Sequence, residues 1–278
     1  MFLGGGTPSL FSPEAIDRLV GGIRARVRLA PDAEINMEAN PGTFEKDRFK
    51  AFRQAGITRL SIGVQSFDNA HLKALGRVHD RDQALAAVTE AAQVFDTFNL
   101  DLMYALPEDD LAYEMMDRIT ELTGLAGLNR YEVSAYAKPG HQCAHNLNYW
   151  QFGDYLGIGA GAHSKLSFAH RVLRQVRYRE PALYMQQAMK GEPVTQSNEV
   201  SRQDLPFEFM LNALRLRGGF DLPDYVDRTG LAMTSIQKGL QEAEKLGLIG
   251  RDLHRVWPTE KGFDFLSDLQ ALFLSDAP

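Results

Sequence analysis

Three consecutive glycines, Gly4-Gly5-Gly6, run into Thr7-Pro8-Ser9 and form the first stretch of the chain able to do chemistry. Without Cβ atoms, their backbone N–H and C=O groups can approach a ligand directly, and Pro8 then fixes the direction of exit. Phosphate loops and tight turns also use glycine, but the lysine of a triphosphate loop is missing here. A ligand with an amino or carboxylate group suits the loop better. Thr7, Glu38, Gln65 and Asp101 each stand at the end of a segment with strand character. Any one of them alone reads as a turn or cap residue. Together they mark a site, because ligands of parallel α/β proteins bind at the carboxyl ends of the strands. A second constellation is His145-Asn146-Leu147-Asn148-Tyr149-Trp150, with His141 and Cys143 just ahead. It combines an imidazole able to ligate a metal with two flat aromatic faces. The competing reading is a structural histidine beside core aromatics.

The elements that must position these residues alternate in type. Phe2-Leu3 reads as the tail of a buried strand, which predicts that a complete domain extends further toward its N-terminus. A helix is predicted from Ser12-Pro13-Glu14, with Ser12 as its cap. A strand at 34–38 leads into Asn40-Pro41-Gly42-Thr43, a helix at 45–55 stops at Gly56, and a strand follows at 57–64. Helices at 68–75 and 82–95 precede a strand at 98–104. This β-α-β-α order predicts a parallel sheet. A further strand is expected at 130–136, and 141–163 reads as too irregular for a helix. From about Val172 the pattern predicts helices alone, at 206–216, 233–246 and 260–273, with a hairpin at 248–258 before the last. The fold class is therefore α/β, with residues 1–170 as a partial (β/α) barrel. Residues 171–278 form a helical, winged-helix-like domain.

A chain of 278 residues has room for one large core and a smaller satellite. Its 44% hydrophobic and 24% charged residues suit a folded globular protein. The net charge of -6 argues against nucleic-acid binding, and the basic run from Arg171 to Arg179 reads as a solvated face. A single cysteine, Cys143, excludes a disulfide framework and any multi-cysteine metal site within these residues. There is no apolar run of membrane-spanning length and no secretion signal at the start, so a cytoplasmic location is expected.

Several ordered motifs resemble one family. Gly4-Gly5-Gly6-Thr7-Pro8-Ser9, Glu38-Ala39-Asn40-Pro41-Gly42-Thr43 and Ser61-Ile62-Gly63-Val64-Gln65-Ser66-Phe67 are followed by Leu75-Gly76-Arg77 and by Asp101 to Pro107. Then come His145 to Trp150, Asp154 to His163, and Pro258 to Phe263. In order and spacing they are similar to the radical S-adenosylmethionine family, in the branch of the heme chaperones and oxygen-independent coproporphyrinogen III oxidases. The resemblance implies that Gly5, Gly6 and Thr7 hold the methionyl end of adenosylmethionine, completed by Glu38, Gln65, Arg77 and Asp101. Carboxylates can accept from ammonium and ribose hydroxyls, and Arg77 can fork onto a carboxylate or form a surface ion pair. It also implies heme binding through His145, Asn146, Tyr149 and Trp150, with Cys143 as an alternative axial thiolate and His163 as a pocket-lining group.

Two departures qualify what the resemblance implies. Family members place C-x-x-x-C-x-x-C ahead of the glycine motif, where three thiolates hold a 4Fe-4S cluster; that segment is not in these residues. After Leu106-Pro107 the family has roughly another βα unit where this chain runs directly into Glu108-Asp109-Asp110, and Ala105 replaces a glycine. An opened barrel of this kind is expected to expose apolar surface and strand edges. The expected function is heme trafficking or insertion, with heme or porphyrin as cargo and a heme-receiving protein as partner. The alternative is an oxidase-like enzyme of porphyrin biosynthesis, and an inactive remnant of the fold is the third reading.

Overall fold

The computed structural model describes residues 1–43, 47–103 and 112–275. The chain divides into two compact units, Met1–Leu122 and Thr123–Pro278. In the first, β1 (Phe2–Leu3) precedes a 3-10 turn at Pro8–Leu10. Ser12 then accepts a hydrogen bond from the Ala15 amide, and Pro13 occupies the first turn of α1 (Pro13–Arg24). β2 (Asn36–Ala39), α2 (Arg48–Gln54) and β3 (Arg59–Gln65) follow, with Gly56 at φ +96° between the last two. Asp68 caps α3 (Asn69–Ala74) through the amides of Ala70 and His71. A reciprocal capping box between Asp80 and Gln83 starts α4 (Arg81–Val94). β4 (Phe98–Leu102) closes the run, and α5 (Ala112–Leu125) leads toward the second unit.

The four strands form a parallel sheet in the order β1-β2-β3-β4, with a helix in each crossover. Ile16 and Val20 of α1, Phe49 and Phe52 of α2, and Ala84, Ala87 and Ala91 of α4 pack with Met37, Leu60, Ile62 and Val64 of the sheet. β3 is buried along most of its length, as a central strand of a covered sheet must be. The predicted helix start at Glu45 and strand end at Tyr104 fall outside the described residues. So do Ala105 and the junction after Pro107.

The second unit departs from expectation in four places. The single strand expected at 130–136 is instead a tight hairpin, β5 (Asn129–Arg130) against β6 (Tyr136–Ala137). Its turn is closed by Arg130 donating to the Val133 carbonyl and by Glu132 accepting from the Ser134 amide and hydroxyl. Within 141–163, read as irregular, residues Ala144–Trp150 form α6, because the glycines begin only at Gly153. Beyond Val172 the chain is not helical throughout. β7 (His163–Phe168), β8 (Arg171–Arg177) and β9 (Val194–Glu199) form an antiparallel sheet, with α7 (Pro181–Met189) between the last two strands. Most of the basic run read as a solvated face forms β8, with Arg171 and Arg179 exposed at its ends. Val172 is buried there, Arg174 pairs with Glu208, and Arg177 donates to the Ser164 hydroxyl. The expected boundary at 170/171 falls in the turn between β7 and β8, which are paired along their whole length. The compact units divide at Leu122/Thr123.

The remainder is α8 (Leu205–Ala213), β10 (Phe220–Asp221), α9 (Leu222–Thr229), α10 (Gln237–Lys245), β11 (Ile249–Arg251), β12 (Arg255–Pro258), α11 (Glu260–Asp264) and α12 (Leu266–Ala271). The sheet order β10-β12-β11, all antiparallel, with helices α8, α9 and α10 threaded before the hairpin, is a winged-helix topology. Its centre is Phe209, which meets Phe152, Phe220 and Tyr225 edge-on. No helix among the described residues is long and apolar enough to cross a membrane.

Candidate functional site

The parallel sheet brings the glycine loop and three of the strand-end residues to one edge of the first unit. Gly5 and Gly6 take φ of +85° and +67°, and a Cβ added to either would meet nothing within 4 Å. Their backbone therefore borders open space. Gly4 differs, since a Cβ there would lie 2.5 Å from the Phe2 ring and 3.1 Å from the Glu38 carboxyl carbon. Glu38 explains that crowding: it accepts a hydrogen bond from the Gly5 amide at 3.1 Å, so the end of β2 sets the shape of the loop after β1. Ser9 adds a second tie by accepting from the Asn40 amide at 3.3 Å, and Asn40 in turn accepts from the Gly42 amide. Thr7 stands half-buried before the 3-10 turn and its side chain makes no cap hydrogen bond there.

Gln65 ends β3 at φ +65°, in the left-handed region, where the pairing with β4 shifts register. Its amide nitrogen lies 3.1 Å from where a Cβ on Gly63 would stand, so Gly63 makes room for the folded-back side chain. Asp101, near the end of β4, accepts from the Asn99 amide at 2.6 Å. Although Asp101 is exposed as a residue, desolvation raises its carboxyl above the usual range. The Asn99 bond opposes that shift and the negative charge of Glu38 adds to it. Glu38 and Asp101 thus feel each other across the strand ends.

Arg77 is exposed in the turn between α3 and α4, and its amide donates to the Leu72 carbonyl. No side-chain bond ties Arg77 to Glu38, Gln65 or Asp101. The residue that anchors its loop is His79, which sequence reasoning missed. His79 is 3% exposed, and its Nε2 lies 3.0 Å from the Val64 carbonyl, one residue before the left-handed Gln65. A histidine following Arg77-Val78 carries no sequence signal that it will be buried. Asn99 and Ser9 were missed for a similar reason, since each matters only through a partner brought near by folding.

The donor set fits adenosylmethionine. Open glycine backbone and two carboxylates at neighbouring strand ends match a ligand with ammonium and hydroxyl groups. A three-thiolate iron-sulfur cluster does not fit these residues, because their one cysteine, Cys143, lies in the other unit at the start of α6.

In the second unit, α6 holds all four predicted heme residues. The nearer ring nitrogen of His145, Nδ1, is 3.1 Å from Cys143 Sγ. One helical turn on, the Tyr149 ring stands edge-on to His145, with centroids 6.1 Å apart, and edge-on to Tyr155 at 4.8 Å. Burial, with a smaller contribution from Tyr155, pushes the Tyr149 phenol up. The Arg215 guanidinium covers the Trp150 ring at 4.3 Å and pairs with buried Glu132 at 3.1 Å. Trp150 Nε1 is buried without a hydrogen-bond partner. Asn146 is half-buried on the same helix, and His163 is exposed at the start of β7. The helix ends tightly: Asn148 donates to the Asp154 carbonyl, and a Cβ on Gly153 would lie 2.1 Å from the Asn148 side-chain oxygen.

Comparison with known proteins identifies two segments of the chain. A family model described as the Radical SAM superfamily matches residues 1–119, and one described as the HemN C-terminal domain matches residues 200–265. The chain is 40% identical to the heme chaperone HemW of Escherichia coli, covering 99% of this chain and 84% of that protein. It is 36% identical to the heme chaperone HemW of Haemophilus influenzae, covering 99% and 83%. The aligned span of 321 positions exceeds the 278 residues of the chain, so part of each relative has no counterpart inside that span. The solved coproporphyrinogen III oxidase HemN of Escherichia coli superposes with a TM-score of 0.77 at 20% identity, over 98% of this chain and 76% of that one. At that identity the likeness concerns the fold. Taken with the strand-end loop and the winged-helix segment, the curated relatives place the chain in the HemW heme-chaperone family of radical S-adenosylmethionine proteins.

Proposed function

We propose that the protein binds heme at α6 and passes it to a heme-receiving protein, and that the strand-end loop of its first unit holds adenosylmethionine. The observation that carries the reading is the grouping of His145, Tyr149 and Trp150 on one short helix, in a chain 40% identical to a heme chaperone. His145 offers an imidazole for iron, and Tyr149, with the part of the Trp150 ring that Arg215 leaves uncovered, offers apolar ring surface for a flat macrocycle. Tyr155, packed edge-on against Tyr149, limits how that ring can turn.

At the strand ends, Gly5 and Gly6 give backbone access. Glu38 shapes the loop through the Gly5 amide, and the carboxylates of Glu38 and Asp101 accept from ammonium or hydroxyl groups. Gln65 offers an amide at the same edge, and Arg77 a guanidinium for a carboxylate. Adenosylmethionine held there would supply a sulfonium, whose positive charge activates its C–S bonds. With one cysteine among these residues, no cluster-driven cleavage of it is assigned to them.

Titration with ferric protoporphyrin IX tests the heme reading. A shifted Soret band is expected for the natural protein, with binding weakened at least tenfold in His145→Ala. An identical titration in that variant would remove His145 from the site. Calorimetry with adenosylmethionine addresses the other unit: Arg77→Ala should bind more weakly, and equal affinity would take Arg77 out of that site.

A further inference from the structure

The inner side of α6 borders a cavity of about 250 Å³ lined by Tyr149, Trp150, Phe152, Tyr155, Lys165 and Arg174, among others. Pockets that enclose whole drug-sized ligands span roughly 300–1,000 Å³, so this one takes an arm of a larger molecule. The walls are aromatic, and the charged groups among the lining residues are basic, with Asn212 as a neutral polar neighbour. Lys165 and Arg174 face each other directly across β7 and β8. Like charges directly opposite destabilise a sheet unless anions balance them. Asp154, bonded to Lys165 at 2.9 Å, and Glu208, bonded to Arg174 at 2.5 Å, provide that balance.

The two cations differ in what they can still do. The Lys165 ammonium has three donors, and all are engaged: with Phe152 O at 2.9 Å, Asp154 Oδ1 at 2.9 Å and Ser167 Oγ at 2.8 Å. It is 1% exposed and sits 4.0 Å over the Phe152 ring, a buried ammonium in the cavity wall with its donors already engaged. Arg174 has five donors, and its side chain is 34% exposed. One end of its fork is held by Glu208, while the other donates to the neutral Tyr155 hydroxyl at 3.1 Å. An incoming carboxylate would exchange that neutral acceptor for a charged one, a bond about twice as strong.

We infer that this cavity receives a carboxylate arm of the porphyrin, a propionate, and that Arg174 is the residue that meets it while the macrocycle lies against the α6 rings. The inference rests on the heme reading and adds a direction to it, with the carboxylate edge toward β8 and the iron toward His145. Arg174 is then a specificity residue that distinguishes heme from uncharged porphyrins.

The test compares ferric protoporphyrin IX with its dimethyl ester, in which both propionates are neutral, on the full chain and on Arg174→Gln and Arg174→Lys. The natural protein should bind the diester roughly tenfold or more weakly, the worth of one charge-assisted bond. Arg174→Gln should lose a similar factor for heme and nothing for the diester, with Arg174→Lys between. Equal binding of heme and diester by the natural protein overturns the inference and leaves the heme reading intact. So does an equal loss of both ligands in Arg174→Gln, which would mark Arg174 as structural. Absence of any Soret response to either compound in the natural protein removes the heme reading and this inference with it.

Discussion

Asp101 is the residue where the strand-end chemistry is most exposed to measurement. Desolvation holds its carboxyl above the ordinary range, helped by Glu38 and opposed by Asn99. The folded state therefore keeps that proton more tightly than the unfolded chain does, and stability falls as pH rises from the unfolded pKa through the raised folded one. Asp101→Asn should accordingly raise the urea midpoint at neutral pH, with the gain shrinking through about pH 4 and vanishing below about pH 3, where both states hold the proton. A gain that stays constant across pH would refute this account. Binding of a cationic ligand would draw on the same carboxylate, so the cost that Asp101 carries suits a residue kept for its charge. Glu38, Gln65 and Asp101 were legible in the sequence because strand ends in a β-α-β pattern can be located without knowing the fold. Lys165 and Arg174 were not. A lysine or arginine in a polar stretch looks solvated until its acidic partners, 11 and 34 positions away, are brought to it.

Elements follow the same division. The helices of the first unit and the winged-helix hairpin could be read from caps, stops and periodicity, because each signal is local: Ser12 caps α1 as its position suggests. The sheet of β7, β8 and β9 could not, since Arg174 and Arg177 break the apolar alternation of β8 and find their partners only through tertiary structure. Close packing between elements is equally invisible in a sequence. In the winged-helix segment, α11 approaches β11 so tightly that a Cβ on Gly262 would fall 1.8 Å from the Leu248 carbonyl oxygen. That carbonyl also accepts from the Thr259 amide, so it is not free to move aside. Gly262→Ala should cost roughly 3 kcal/mol or more by overpacking. Urea unfolding would show it as a lowered midpoint in the second unit, and a change under 1 kcal/mol would mean that the helix shifts without penalty.

At the scale of the molecule, one apolar core lies wholly within the first unit and the other wholly within the second. Separate cores predict separate unfolding. Calorimetry of the full chain should resolve two transitions, with Phe52→Ala lowering one and Phe209→Ala the other, each by about 3–5 kcal/mol of local stability. A single transition lowered by both substitutions would show that the units unfold together. The first unit is the weaker candidate. Among the described residues β4 is an edge of the parallel sheet, and Leu102 and Met103 are 49% and 45% exposed, in line with the strand edge expected of an opened barrel. The second unit offers a way to watch one helix within the intact protein. Cys143 is the only thiol in the sequence and is 4% exposed where α6 begins. A thiol-reactive dye therefore has one possible address and reaches it only when that helix start opens. Labelling speed becomes a clock for the breathing of α6, and cargo seated on that helix would slow the clock without any change to the protein.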